Sequence, residues 1–241
     1  MIKEAINRIL ELAKPNEVEF GERKYVDKKV FELEGCRKAQ PLELQTLSSF
    51  IDYIKDMSRF DTLLPENYIV NIEDHKTVKL VSCLNADRER ETILEAKART
   101  PQISFERFMD NERMIIMMIS QFIDDPDTDR DLILKFAGTV TQGTIREYSD
   151  DGVTQQAVIK VGTASKANAI VPSPCTLKPY RTFIEVDQPA SKFIFRMREQ
   201  GGTVESALFE ADGGAWKLGA MKNIAEYLES ELKEAGVKVI W

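Results

Sequence analysis

Apolar residues recur at helical spacing through Ile2, Ala5, Ile6, Ile9, Leu10 and Ala13 and stop before Pro15, which predicts an amphipathic helix at the start of the chain. Val18 to Phe20 and Tyr25 to Leu33 read as strands. Leu44, Leu47, Phe50, Ile51, Ile54 and Met57 then mark a second helix that closes near Ser58. Tyr68 to Ile72 and Val78 to Leu84 flank the polar turn EDHK and predict a hairpin. Glu89 to Arg99 fits either helix or strand, because helix formers fill it while its apolar residues are few.

Further on, Ser104 followed by Phe105, Phe108 and Met109 has the pattern of a short capped helix, and MIIMMI at Met114 to Ile119 is apolar all round, which predicts burial in any conformation. A short helix is expected over Leu132 to Ala137, then a hairpin of Thr144 to Tyr148 and Val153 to Val161 about an Asp-Asp-Gly turn. Gly162 to Pro174 is small, polar and bounded by proline, the composition of an exposed loop. Thr182 to Val186, Ser191 to Arg198 and Thr203 to Glu210 are separated by turn residues and predict a three-stranded meander. Met221, Ile224, Ala225, Leu228 and Leu232 line one face of a last helix, capped near Gly236, and VKVIW reads as a terminal strand.

These elements predict an α+β fold, with N-terminal helices on a small sheet and a C-terminal antiparallel meander covered by the final helix. The expected division is residues 1–125 and 126–241, as two portions or one continuous domain. Apolar residues on both sides of the 182–186 strand, Ile184 with Val186 opposite Phe183, suggest a sheet face covered by a second copy, hence a homo-oligomer.

Composition narrows the function. The 241 residues carry a formal charge of −7, so any nucleic-acid partner must meet a local basic patch rather than the whole molecule. No run of 18 apolar residues occurs, and Glu4 and Glu11 interrupt the first helix, so neither a membrane span nor a signal peptide is expected. Cys36, Cys83 and Cys175 are odd in number and lack CxxC spacing, which fits reduced thiols in a cytoplasm better than a disulfide framework.

The segments QTLSSFIDYI and SFERFMD, then VPSPCTLKPYRTF, KFIFRMRE, a glycine turn and ESALFEA before a closing helix, resemble the YfdQ-like family of phage and prophage proteins over about residues 40–230. Lys97 to Gln102 stand where that family's middle region carries tryptophans. The family brings no established activity. The resemblance implies a phage-encoded cytoplasmic protein from among genes of DNA metabolism and host takeover.

Motifs that would announce catalysis are missing. DDPDTDRD sets Asp125, Asp127, Asp129 and Asp131 at alternate positions, as in the first half of a calcium loop. The sixth and twelfth places hold Arg130 and Phe136 instead of glycine and a carboxylate, so a helix-capping turn is expected. His75 is the only histidine and lies in a turn; no GxSxG, GxxxxGK[ST] or GxGxxG occurs, and no cofactor is expected. Cys175 has no close preceding cation to activate it. These gaps weigh against an enzyme, leaving open only carboxylate or metal-dependent hydrolysis by a pair such as Glu185 and Glu205.

The candidate ligand-binding residues are Lys178, Arg181, Lys192, Arg196 and Arg198. By strand alternation Phe193, Phe195 and Met197 face the core, while Lys192, Arg196 and Arg198 face outward with guanidinium forks suited to phosphate. Glu185, Asp187, Glu205 and Glu210 on adjoining segments would neutralise such a patch by cross-strand pairing. The expectation is a non-enzymatic phage accessory protein that binds a nucleotide, a nucleic acid or a host protein. An alternative is an inhibitor of bacterial anti-phage defence that blocks a defence protein or sequesters a nucleotide signal, with phosphate donors from Thr163 to Asn168 and Arg196.

Overall fold

In the computed structural model, residues 2–20, 23–27, 40–57, 64–85, 88–142, 144–150, 155–161, 165–170, 173–201 and 203–241 are described, with the backbone alone given through 139–170. The chain separates into two compact units, residues 1–39 and 40–241. In the first, α1 (Ile2–Ala13) is followed by an antiparallel hairpin of β1 (Glu17–Phe20) and β2 (Arg23–Val26), with Val18 opposite Tyr25. Asn16 closes this hairpin, its backbone and side-chain N–H groups each donating to the Asp27 carboxylate at 2.8 Å. The rest of the predicted second strand, to Leu33, lies outside the described residues, as does Cys36.

The larger unit begins with β3 (Leu42–Leu44) and α2 (Leu47–Asp56), followed by the expected hairpin, β4 (Tyr68–Asp74) and β5 (Thr77–Ser82). The ambiguous 89–99 segment is a strand, β6 (Thr92–Lys97), in which Leu94 and Ala96 are buried and the residues between them are not. Period-two burial decides against helix there. Then come β7 (Met109–Asp110), α3 (Asn111–Gln121), α4 (Arg130–Gln142), β8 (Thr144–Asp150), β9 (Gln155–Val161), β10 (Ser165–Ile170) and β11 (Cys175–Leu177). The chain ends with β12 (Ser191–Gln200), β13 (Thr203–Glu210), α5 (Trp216–Glu231) and β14 (Lys238–Ile240). The α+β class is as expected.

Two cores organise this unit. A five-stranded sheet, in the order β14-β4-β5-β6-β3, has antiparallel central pairs and parallel edges. Leu47, Phe50 and Ile54 of α2 and Ile224, Ala225 and Leu228 of α5 bury with Val70, Leu80 and Leu94 of this sheet. The second sheet runs β11-β12-β13-β7, entirely antiparallel, and its Phe193, Phe195, Met197 and Leu208 meet Met114, Met117 and Met118 of α3 and Ile133 and Phe136 of α4. Burial of each such large apolar side chain contributes about 1.5–3 kcal/mol. β8, β9 and β10 form a separate three-stranded antiparallel sheet.

Several expectations change. The closing helix covers the five-stranded sheet and not the C-terminal one, because its apolar stripe matches the core that β4 and α2 leave open. The 182–186 segment is a turn rather than the first strand of a meander. Phe183 and Val186 both point into the first core while Ile184 is 78 % exposed, so the apolar residues flanking the turn serve one core and not two sheet faces. Gln188 replaces ladder pairing: its Oε1 accepts from the N–H groups of Arg181 (2.9 Å) and Thr182 (3.1 Å), and its Nε2 donates to the Phe183 carbonyl at 2.8 Å. The edge place beside β12 is taken by β11.

Within the expected 162–174 loop, Ser165–Ile170 is a strand that pairs with β9 from Ser165↔Val161 to Ile170↔Gln156. Ladder bonds come from the backbone, so small polar residues can supply them. Residues 162–164 and the Asp-Gly of the Asp-Asp-Gly turn, at 151–152, are outside the described residues. The helix expected at Ser104 is absent; residues 101–108 form an irregular strap in which Glu106 takes a left-handed conformation at φ 61°. MIIMMI is helical but two-sided: Met114, Met117 and Met118 are buried, whereas Ile116 and Ile119 are 58 % and 57 % exposed. Among the described residues no helix is long and apolar enough to cross a membrane.

Candidate ligand-binding site

Along β12 burial alternates, with Ser191, Phe193, Phe195 and Met197 inside and Lys192 and Arg198 exposed. Lys192, Arg196 and Arg198 therefore share the outer face of the sheet. Antiparallel register sets Arg198 opposite Glu205, whose Oε2 accepts from Arg198 Nε at 2.8 Å and lies 2.7 Å from Nη2. The same guanidinium carbon sits 4.2 Å from the centre of the Phe108 ring. Lys192 is exposed and has no ion-pair partner among the described residues.

Lys178 and Arg181 lie elsewhere. Lys178 Nζ donates to Asp125 Oδ2 at 2.7 Å, which raises the lysine pKa and lowers that of the carboxyl. Arg181 is 5 % exposed, its guanidinium carbon 3.8 Å from the Trp216 ring centre and 5.6 Å from that of Phe193. It donates to Glu210 at 2.5 Å and to Ser191 Oγ. Burial draws its pKa down to about 10, against the upward pull of Glu210 and Asp212. Such a node fastens the two cores: His75 of the β4–β5 turn packs edge-on against Trp216 at 4.7 Å, and its carbonyl accepts from Thr182 Oγ1 at 2.5 Å.

The acidic run is built into turns. Asp125 Oδ1 accepts from Asp127 N–H at 2.8 Å, and Asp129 Oδ2 accepts from Thr176 N–H at 2.7 Å, while the Asp129 carbonyl begins the hydrogen bonding of α4. No group of three His, Cys, Asp or Glu stands where it could hold a metal ion among the described residues. Glu185 and Glu205 are engaged separately, Glu185 at the start of α2 and Glu205 with Arg198. Burial pushes the Cys175 thiol up to about 12, leaving it a packing residue rather than a nucleophile. Of the proposed phosphate donors, Thr163 lies outside the described residues and Ser165 to Asn168 contribute backbone to β10.

A cavity of about 390 Å³ opens instead between the strap and the outward side of α3. The strap is held on its inner side by Phe105, stacked 5.3 Å from Phe193 and edge-on to Phe122 at 6.5 Å, and by the Glu106 N–H, which donates to the Leu208 carbonyl at 2.8 Å. The left-handed Glu106 then reverses the chain, and Arg107, exposed and without an ion-pair partner among the described residues, lines the cavity. Met109, Ile116 and Met117 give it apolar walls, and Arg113 adds a second guanidinium, bridged loosely to Asp110 at 3.4 Å. Gln121 lines the same space, and its buried Oε1 has no hydrogen-bond partner among the described residues.

Sequence reasoning passed over this place because a phenylalanine spacing of three mimicked a helix. The available signal was SFERFMD itself, with an arginine between two aromatics, followed by a helix apolar on more sides than a core needs. Compared with protein-family models, curated proteins and solved structures, the chain gives no match to any of them.

Proposed function

We propose that this protein is a non-enzymatic accessory protein of a phage or prophage that acts in DNA metabolism or host takeover by binding a phosphate-bearing partner in the cleft between the strap and α3. The setting rests on the family resemblance of residues 40–230. The binding character rests on one observation above all: Arg107, exposed and with no ion-pair partner among the described residues, lines a cavity in which Phe108, Met109, Ile116 and Met117 supply apolar surface. Most other cations considered already have carboxylate partners, Arg181 with Glu210, Lys178 with Asp125 and Arg198 with Glu205. A paired guanidinium gains little from a further anion, since it must give up the first.

Fluorescence anisotropy tests this with a labelled short single-stranded DNA and a labelled nucleotide, comparing the wild type with Arg107→Glu. The reading expects at least one probe to bind and Arg107→Glu to weaken it. Equal binding by both proteins would place the site elsewhere.

A further inference from the structure

The dimensions and chemistry of the cleft specify its occupant more narrowly, an argument that rests on the binding reading above. Along the helical wall, Arg113 and Gln121 stand at opposite ends. Arg113 lies in the first turn of α3 and Gln121 at its last residue, so eight helical steps of 1.5 Å set them about 12 Å apart along the axis. The strap runs beside the helix, anchored by Phe105 near Phe122 just past the C-terminal end, and rejoining the helix through Met109 and Asp110 at the N-terminal end. Arg107 belongs to the latter half.

Between those ends the wall is mainly apolar, with Ser104 and Ser120 at its edges. Ile116 is among the most exposed large apolar residues of the larger unit, with Met117 and Met109 beside it. A flat ring packs well on such a surface, and methionine adapts to it. At the far end Gln121 lines the cleft, and its Oε1, buried and without a donor among the described residues, gains one when the amide turns toward a ligand, as a buried acceptor without a donor costs about 1–3 kcal/mol. The ligand that answers all three features has an anionic end for Arg107 and Arg113, a planar apolar middle, and a hydrogen-bond donor on its other edge. Inorganic phosphate lacks the last two, and a volume of about 390 Å³ suits one small molecule and not a folded partner.

We infer that the cleft binds a single nucleoside phosphate, its phosphate held by Arg107 and Arg113, its base against Ile116 and Met117, and a base N–H donated to Gln121. Arg113, whose side chain is well exposed, reaches the phosphate by exchanging its 3.4 Å contact with Asp110 Oδ2, while Asp110 Oδ1 keeps the Arg113 N–H at 2.9 Å.

Isothermal titration calorimetry with the four ribonucleoside 5′-monophosphates, the four nucleosides, inorganic phosphate and a short single-stranded DNA tests this on the full chain. The expected result is binding of at least one monophosphate, about ten-fold or more tighter than its nucleoside and than inorganic phosphate. Arg107→Glu and Ile116→Glu should each reduce that affinity about ten-fold or more, and Gln121→Leu should change the ranking of the four bases. Both Arg107 and Ile116 are exposed, so these variants keep the fold, which circular dichroism checks. Phosphate binding as tightly as the monophosphates, or DNA binding alone with sensitivity to Arg107→Glu, would overturn the nucleotide assignment while keeping the anion site. No binding by any probe, or binding unaffected by Arg107→Glu, would overturn both.

Discussion

The Leu47 N–H donates to Glu185 Oε1 at 2.8 Å across 138 residues of chain, and Ser48 N–H reaches the same oxygen at 3.3 Å. Thr46 caps α2 locally by accepting from Ser49 N–H at 3.2 Å, so the distant carboxylate serves the donors that the cap leaves over. It also places negative charge at the helix N-terminus. Glu185→Ala should therefore cost about 1–2 kcal/mol, and Glu185→Gln about half as much because an acceptor remains. Urea denaturation checks this, and equal stability of all three proteins would remove the carboxylate from the account.

Arg181 is the second long-range fastening, between the 181–188 turn, β12, β13 and the start of α5. Arg181→Met retains bulk against Trp216 but strands Glu210, which is partly exposed and can be rehydrated. The expected cost is about 2–3 kcal/mol, below that of a fully buried pair. Arg181→Lys should recover little, since a point charge cannot reproduce contacts to Glu210, Ser191 and the indole face together. Thermal melts of the two variants decide the matter.

His75 gives the fold an acid sensitivity. Burial lowers its pKa from the ordinary histidine value, outweighing the upward pull of Asp74 and reinforced by Lys76, Lys217 and Arg181. The unfolded chain then takes up the proton first, so stability is fully present above about pH 6.5 and is lost as the pH falls from there through the folded value. The melting temperature of the wild type should drop more steeply between pH 7 and pH 5 than that of His75→Phe. Parallel curves would contradict it.

Glu106 offers a test of the strap. A glutamate at φ 61° is strained, and a β-branched residue there is worse. Glu106→Gly should change stability by no more than about 0.5 kcal/mol, the relief of strain offsetting the added freedom of the unfolded chain. Glu106→Val should cost about 1–2 kcal/mol. If valine were tolerated as well as glycine, the left-handed turn that aims Arg107 would be wrong.

How much of this the residues announced depends on the range of the forces involved. Periodicity located α1, α2, α5, the β4–β5 hairpin and the β12–β13 pair, because each carries one regular stripe, buried in all but α1, whose Ile6, Ile9 and Leu10 are exposed. It failed where tertiary packing sets the pattern. Phe105 and Phe108 have helical spacing, but one stacks on Phe193 while the other lies edge-on to Phe209 at 6.2 Å, with the chain reversed between them. Phe183 and Val186 resemble strand residues yet serve a turn held by Gln188. For the site, alternation placed Lys192, Arg196 and Arg198 on one face, and the order of carboxylates on β13 foreshadowed the Arg198–Glu205 pair. That Lys178 would find Asp125, or Arg181 stack on Trp216, is a matter of contacts between distant segments. So is the cleft, whose walls come from the strap and from the side of α3 that an all-round apolar pattern conceals.

The central claim, that ligand binding is a property of the Arg107 cleft and not of the β12 stripe, is tested most directly by native mass spectrometry. Wild type, Arg107→Glu and Lys192→Glu would each be incubated with the same low-molecular-mass filtrate of bacterial cells and measured beside their denatured masses. The account predicts an added mass on wild type and on Lys192→Glu that is absent from Arg107→Glu. The same added mass on all three proteins, or its loss from Lys192→Glu with retention by Arg107→Glu, would contradict it.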